Sequence, residues 1–295
     1  MSWRSAANLA WLRSLPGLEE GRSLARLTSF NIGGAADFLV ETSTPGPILR
    51  QAAERAIPAR VIGAGTNLLI SDEGVEGLVV RDVDRRFRRE EDRVFGGAGL
   101  KMMRLARLAA DQDLVGLEFA IGIPGTVGGA VYQDAGCWGS EVRDVLVSVE
   151  GDGESWVPDE LALGYRTSAF RDGPLRGRLI TGAWFQLRPG DGGAAREQMA
   201  RWTAERLRTQ PIKSKSCGSV FRNPPGDSAA RLVEASGLKG MREGGAVISG
   251  KHSNFIENLG EATAADVRRL IARAQSEVSA RFGVMLEPEV EMIGR

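Results

Sequence analysis

The chain has 295 residues, with 38 Lys+Arg against 38 Asp+Glu, one His and two Cys; 42% of it is apolar and 26% charged. At roughly 150 residues per domain this length suits two globular domains, and the composition excludes wholesale disorder. Zero net charge argues against a broad nucleic-acid or anionic-membrane surface. Two Cys supply neither a disulfide framework nor a Cys-rich zinc site, and one His makes a His-based metal site unexpected.

The longest uncharged central stretch, Phe119 to Gln133, is 15 residues long and contains a Pro. A spanning helix needs about 20 apolar residues. Arg4, Asn8 and Arg13 interrupt the N-terminus, which reads poorly as a signal peptide. The expectation is a reduced, cytoplasmic, soluble protein without nucleic-acid or membrane partners, and a monomer.

In chain order, residues 1–27 read as a short helix and linker anchored by Trp3 and Trp11. Phe38-Leu39-Val40 is a strand, and Pro47 to Ala56 a helix with Pro in its first turn, where its missing N–H costs nothing. Arg60-Val61-Ile62 is a strand running into Gly63-Ala64-Gly65-Thr66-Asn67. Leu68-Leu69-Ile70 and Gly77 to Val80 follow, then a charged stretch, Asp82 to Arg93, expected as a solvated hairpin. Leu100 to Asp111 is a helix with Leu100, Met103, Leu105 and Leu108 near one face. Val145 to Glu150 and Leu179 to Leu187 are strands, and Asp191 to Ala195 reads as a linker.

Near the end, Thr263 and Asp266 have capping-box spacing before an apolar helical period that Gly283 stops. Val284 to Met292 then alternates, with Glu287, Glu289 and Glu291 on one face. Pro288 makes this an edge or bulged strand. On pattern alone a water-facing carboxylate face is favoured over one lining a site. Helices and strands alternate without a repeat, as in α+β or α/β proteins.

Glycine is the outlier, at 38 of 295 residues, about twice the usual share. Gly63 to Asn67 follows a strand as a phosphate-cradling turn does. Leu68 stands where G-x-G-x-x-G needs Gly, and no Walker A sequence occurs. An anion nest and a tight structural turn are equally good readings of it. Gly122-Ile123-Pro124-Gly125-Thr126-Val127-Gly128-Gly129-Ala130 is the densest block, readable as a backbone cradle or as close packing. Two such nests about sixty residues apart suit a long diphosphate ligand, FAD better than a mononucleotide.

Pro211 to Lys251 is locally basic, with seven cationic residues against three acidic, which suits a phosphorylated ligand or a solvated face. Ser216-Cys217-Gly218-Ser219-Val220-Phe221 carries hydroxyls, but only His252 is present as a base and no G-x-S-x-G elbow occurs, so a hydrolase is poorly supported. Cys137 and Cys217 read as inert thiols.

Taken together and in order, several segments resemble the UDP-N-acetylenolpyruvoylglucosamine reductase family. They are Thr28 to Asp37, Gly63 to Leu69, Ile123 to Ala130, Tyr165-Arg166-Thr167-Ser168-Ala169-Phe170, Ser216 to Pro224, Lys251-His252 and Leu286-Glu287-Pro288-Glu289-Val290. The resemblance implies an α+β fold: a two-lobed FAD-binding domain of the vanillyl-alcohol-oxidase/PCMH type, then a smaller α+β substrate domain. The expected divisions are 1–27, 28–190 (lobes 28–75 and 76–190) and 191–295.

It also implies noncovalent FAD, NADPH as hydride donor, and UDP-N-acetylglucosamine enolpyruvate as the substrate reduced to UDP-N-acetylmuramate. Carried over by motif, Ser219 is the proton donor, and Arg166 and Glu289 stabilise the enolate-like intermediate. The cofactor residues are Gly63, Ala64, Gly65, Thr66, Asn67, Leu68, Gly122, Ile123, Pro124, Gly125, Thr126, Gly128, Gly129 and Ala130. Asn223, Lys239, His252 and Tyr165 fall at substrate-binding positions, and no metal is implied.

There are departures. Asp134 stands where the family usually has Asn, and Cys137-Trp138 is bulkier than the Ala-Tyr type. Only 52 residues separate Arg166 from Ser219, which matches the shorter branch without a Tyr-bearing loop. The competing readings are another FAD oxidoreductase on the same scaffold, which has no reason to carry Ser219, Arg166 and Glu289 together, and a non-catalytic nucleotide-sugar binding protein, which needs no proton donor.

Overall fold

The computed structural model describes residues 3–295. The chain folds as two compact units, each discontinuous in sequence. The first takes Met1–Gly17, Val40–Ala64 and Val80–Glu205; the second takes Leu18–Leu39, Gly65–Val79 and Arg206–Arg295.

The first unit is built on a five-stranded antiparallel sheet in the order Ser155–Trp156, Leu146–Glu150, Gly182–Gln186, Arg93–Gly97, Phe87–Glu90. Its central pair is in the register Gly182↔Gly97, Trp184↔Phe95 and Gln186↔Arg93. The predicted charged hairpin is present at Phe87–Glu90 and Arg93–Gly97, and the outer strand is largely exposed. The approach to it is not solvated: Asp82 and Asp84 are buried, Asp84 because Arg86 binds its carboxylate.

The helix Met102–Ala110 packs on this sheet through Met102, Leu105, Ala106 and Ala109. The sequence reading had placed Met103 and Leu108 near that face. Alanines at helical spacing complete the stripe, and both larger residues sit at its half-buried edge. The expected linker at Asp191 to Ala195 is a helix start, because Asp191 Oδ1 accepts the Ala194 N–H (3.0 Å) and caps the helix Gly192–Thr209. Ala195 and Met199 of that helix enter the first unit's core, so this unit continues to Glu205 rather than ending near residue 190.

The second unit combines a three-stranded antiparallel sheet, Arg242–Glu243, Ala246–Ile248 and Ile256–Asn258, with the helices Ala229–Ala235 and Ala264–Phe282. Val267, Leu270, Ile271, Ala274 and Val278 bury the predicted face of the long helix against Leu232, Val233, Ile248 and Ile256. Its start carries the expected reciprocal Thr263–Asp266 capping box, and Gly283 ends it in the left-handed region (φ +68°). Asp72 adds a cap from far away in sequence, accepting the Ala264 and Ala265 N–H groups at 2.8 and 3.0 Å. A second, parallel pairing joins Leu68–Ile70 to Glu291–Ile293 in the register Glu291↔Leu68.

The predicted strand Val284 to Met292 is regular only at Glu291–Ile293. Pro288, which has no N–H to donate, meets Phe221 in an isolated bridge. Beyond it the alternation slips: Glu289 and Val290 are both buried, and Met292 is exposed.

Candidate active site

In the second unit the Ser216–Phe221 segment turns at Gly218 (φ +83°) and lies between two other pieces of chain. On one side Glu289 donates its N–H to the Val220 carbonyl (2.7 Å), and the Arg222 N–H reaches the Glu287 carbonyl (2.9 Å). On the other side the Val220 N–H reaches the Asn254 carbonyl (2.8 Å). Glu289 thereby lies against Val220, the residue that follows half-buried Ser219. Glu289 is 8% exposed. The favoured water-facing reading of its strand face fails for this residue, because the slip at Pro288 turns it inward. Burial pushes the adjacent Cys217 thiol above its ordinary pKa, and the nearby Glu289 charge adds to the shift.

The first glycine turn reaches the same place. Asn67 Nδ2 donates to the Glu289 carbonyl (3.0 Å), and the Glu291 N–H donates to the Asn67 carbonyl (2.9 Å). Gly65 has φ +63°, and a Cβ there would run into the Leu27 carbonyl oxygen, so this position requires glycine on both counts.

In the first unit the two glycine blocks meet. A Cβ on Gly63 would lie 2.6 Å from Thr126 Oγ1. Thr126 caps the short helix Val127–Tyr132. The Val127 and Gly128 N–H groups are taken by the Leu100 and Ala98 carbonyls (2.8 and 3.0 Å). Close packing therefore explains Gly128, whose Cβ would stand 3.0 Å from that of Ala98. At Gly122 a Cβ would lie 3.1 Å from Trp138 Nε1, a buried donor with no hydrogen-bond partner among the described residues. The Cys137 side chain is closer still, 2.5 Å from that Cβ at Sγ, so packing accounts for Gly122, while the Trp138 donor fits an acceptor atom on a bound group.

Arg166 also lies in the first unit. Its backbone is left-handed (φ +59°), and its guanidinium donates to the Gly136 carbonyl (3.1 Å). It sits 5.1 Å from the centre of the Tyr165 ring. Both line a cavity of about 340 Å³ together with Gly136, Cys137, Glu141 and Arg143. Gly136 belongs to the small hairpin Gly136–Cys137/Ser140–Glu141. That hairpin's base is held by Asp134, fully buried, whose Oδ1 accepts the Arg143 N–H (2.9 Å). Oδ2 lies 3.5 Å from the Arg143 guanidinium. Burial raises the Asp134 pKa to about 6. The carboxylate that departs from the family pattern is thus paired within its own loop.

The remaining expected residues are in the second unit. Asn223 Oδ1 accepts the Ala229 N–H (3.0 Å) at the start of the helix Ala229–Ala235. Lys239 Nζ pairs with Glu234 (3.0 Å), whose other oxygen accepts from Ser253 Oγ (3.3 Å). His252 packs its ring edge-on against Phe255, 4.9 Å between centres, and burial holds its pKa below the ordinary value. Much of the basic stretch is tied locally: Arg231 to Asp227, Arg222 to Glu287 and Lys251 Nζ to the Leu207 carbonyl (2.6 Å). The sequence reading did not single out Asn254 or Asp72. A polar residue whose partners are distant backbone groups leaves no local pattern.

Residues 47–151 match the FAD binding domain family. With the α+β framework and the backbone-lined glycine blocks, this places the chain among FAD-dependent enzymes. Residues 210–293 match the family described as UDP-N-acetylenolpyruvoylglucosamine reductase, C-terminal domain. The chain is 44% identical over 290 residues to the UDP-N-acetylenolpyruvoylglucosamine reductase of Synechococcus sp. (strain JA-3-3Ab), covering 94% of this chain and 91% of that protein. It is 42% identical to UDP-N-acetylenolpyruvoylglucosamine reductase 2 of Symbiobacterium thermophilum, with 96% of each covered. The crystal structure of the Thermus caldophilus enzyme superposes with a TM-score of 0.79 at 39% identity, over 92% of this chain and 98% of that one. The chain belongs to the UDP-N-acetylenolpyruvoylglucosamine reductase family and is an FAD-dependent oxidoreductase. Among the described residues no helix is long and apolar enough to cross a membrane.

Proposed function

We propose that the chain uses NADPH to reduce UDP-N-acetylglucosamine enolpyruvate to UDP-N-acetylmuramate, and that Ser219, Arg166 and Glu289 carry the chemistry. The observation that bears most weight is that the Glu289 N–H is held on the carbonyl of Val220, next in sequence to Ser219 (2.7 Å). The Gly63–Leu68 and Gly122–Ala130 blocks would hold FAD, which when bound would supply the hydride, taken from NADPH, for addition to the methylene carbon of the enolpyruvyl group. That addition leaves negative charge on the neighbouring carbon and its carboxylate. The Arg166 guanidinium is suited to hold such charge, already lying in a polar cavity with its backbone fixed. Ser219 Oγ–H then gives its proton to the carbon, forming the second C–H bond, and regains one from solvent. Glu289 would assist only when protonated or hydrogen-bonded beside that carboxylate, because two adjacent carboxylates repel.

FAD binding is assigned chiefly to the first unit and substrate binding chiefly to the second, in keeping with the family matches at 47–151 and 210–293. Trp138 Nε1 would be an added donor to FAD. Asn223, Lys239, His252 and Tyr165 would bind the sugar nucleotide. The protein acts as a cytoplasmic monomer.

An anaerobic experiment tests this reading. NADPH should bleach the flavin absorption, and the enolpyruvyl sugar nucleotide should restore it. In Ser219→Ala the bleaching should proceed at the unaltered rate while the restoration slows by about 10²–10⁴-fold. An unchanged restoration rate removes Ser219 from the mechanism. Failure of the substrate to restore the parent enzyme's spectrum removes the substrate assignment.

A further inference from the structure

Asn254 does more than fill a buried site. It is 4% exposed, and both ends of its amide bind a single residue: Oδ1 accepts the Phe221 N–H (2.9 Å), and Nδ2 donates to the Phe221 carbonyl (2.8 Å). Its own carbonyl takes the Val220 N–H (2.8 Å), while the Val220 carbonyl takes the Glu289 N–H (2.7 Å). Asn254 therefore does for Val220-Phe221 what an edge strand would do, with one residue. It holds the far side of the peptide that Glu289 holds from the near side.

The clamp is itself fixed. His252 to Phe255 forms a tight turn, closed by the Phe255 N–H on the His252 carbonyl (3.0 Å). Fully buried Ser249 returns its N–H to the Phe255 carbonyl (2.8 Å), and its hydroxyl accepts the Lys251 and His252 N–H groups (3.1 and 3.4 Å). Both polar atoms of the Asn254 side chain bind neutral backbone, which couples the turn to the Ser219 segment.

We propose that Asn254 is the positioning residue for Ser219: its two hydrogen bonds to the Phe221 backbone fix the Val220-Phe221 segment and so set where the Ser219 hydroxyl stands. This rests on the reading of Ser219 as proton donor. A displacement of about 1 Å at a reacting group costs on the order of 100-fold in rate. Truncating the amide also leaves two buried backbone groups of Phe221 without partners.

The test uses the FAD-loaded full chain and separates the half-reactions. In Asn254→Ala, reduction by NADPH should stay within about twofold of the parent, and reoxidation by the sugar nucleotide should slow about 10- to 100-fold, with its half-saturating concentration nearly unchanged. Asn254→Asp keeps the volume and the acceptor for the Phe221 N–H and should fall between parent and alanine. It is read in the same way should the alanine variant not accumulate.

A merely structural role would lower both half-reactions together, or only the folded yield, and would overturn the proposal; so would an unchanged reoxidation rate. In the Ser219→Ala background, Asn254→Ala should add almost nothing, because its effect passes through the missing hydroxyl. A full additive loss there overturns the route through Ser219. If Ser219→Ala alone leaves reoxidation intact, it is the Ser219 reading that fails, and the single Asn254 variant shows separately whether the clamp matters.

Discussion

Ser219 and Arg166 are held by opposite means. The Ser219 segment is fastened on both sides by neutral backbone and amide groups drawn from residues 254 and 287–290. Arg166 has a left-handed backbone, and its guanidinium donates to the Gly136 carbonyl of a hairpin whose base depends on a buried carboxylate with a pKa near 6. The first support is indifferent to pH and lacks long flexible side chains. The second is charged and sensitive to protonation. On the roles proposed above, a proton donor must stand at a fixed distance from one carbon, which rigid neutral bonds achieve, whereas a group that stabilises spread-out charge acts through its own charge.

The sharpest way to break the comparison is at Arg166 itself. Arg166→Lys keeps the charge but loses the planar fork and the reach to Gly136. Reoxidation of the reduced enzyme by the sugar nucleotide should fall about 10²-fold by stopped-flow absorbance, more than for Asn254→Asp. A smaller loss than in Asn254→Asp would reverse the ranking of the two supports.

Next comes Asp134. Its folded pKa, about 6, lies above the ordinary 3.8, so the folded state binds more protons than the unfolded state between these values. Stability should therefore decline as pH rises through that window, and the full penalty should persist above it. Asp134→Asn still accepts the Arg143 N–H and removes the penalty. Thermal or denaturant unfolding should show a gain of roughly 1–3 kcal/mol at pH 7 that vanishes near pH 4. A loss at pH 7 would mean that the ion pair with Arg143 outweighs desolvation. Asp82, likewise raised to about 6 by burial, should respond to Asp82→Asn in the same direction.

The smallest effects should come from the long helix of the second unit, where two caps share one N-terminus. Thr263→Ala and Asp72→Ala should each cost about 1 kcal/mol in denaturant unfolding. The pair should cost other than the sum, since both act on the same first turn. Strict additivity would show that the two caps act independently.

What could be read along the chain was whatever depends on neighbours in sequence. The Thr263–Asp266 box, the Gly283 stop, the helix between them and the charged hairpin at 87–97 all formed as their local chemistry requires. The family motifs were legible because each is a short contiguous string. Misreadings arose where local composition pointed one way and packing another. Asp191-Gly192-Gly193 has the composition of a linker, yet it starts a helix that the first unit's core takes up. Alternation promised a wet carboxylate face, yet Pro288 shifted the phase and buried Glu289.

By itself, then, the sequence determined the secondary elements with strong caps and periods, and the family. Tertiary structure alone decided that residues 18–39 and 65–79 fold with the C-terminal residues. It also decided that Asn67 meets Glu289 across 222 positions, and that Asn254 and Asp72 act as clamps. Caps and periods are set by bonds spanning a few residues, which a local pattern records. These contacts join backbone groups to polar side chains far away in sequence, and any Asn or Asp of suitable reach could make them; only the path of the folded chain selects which one does.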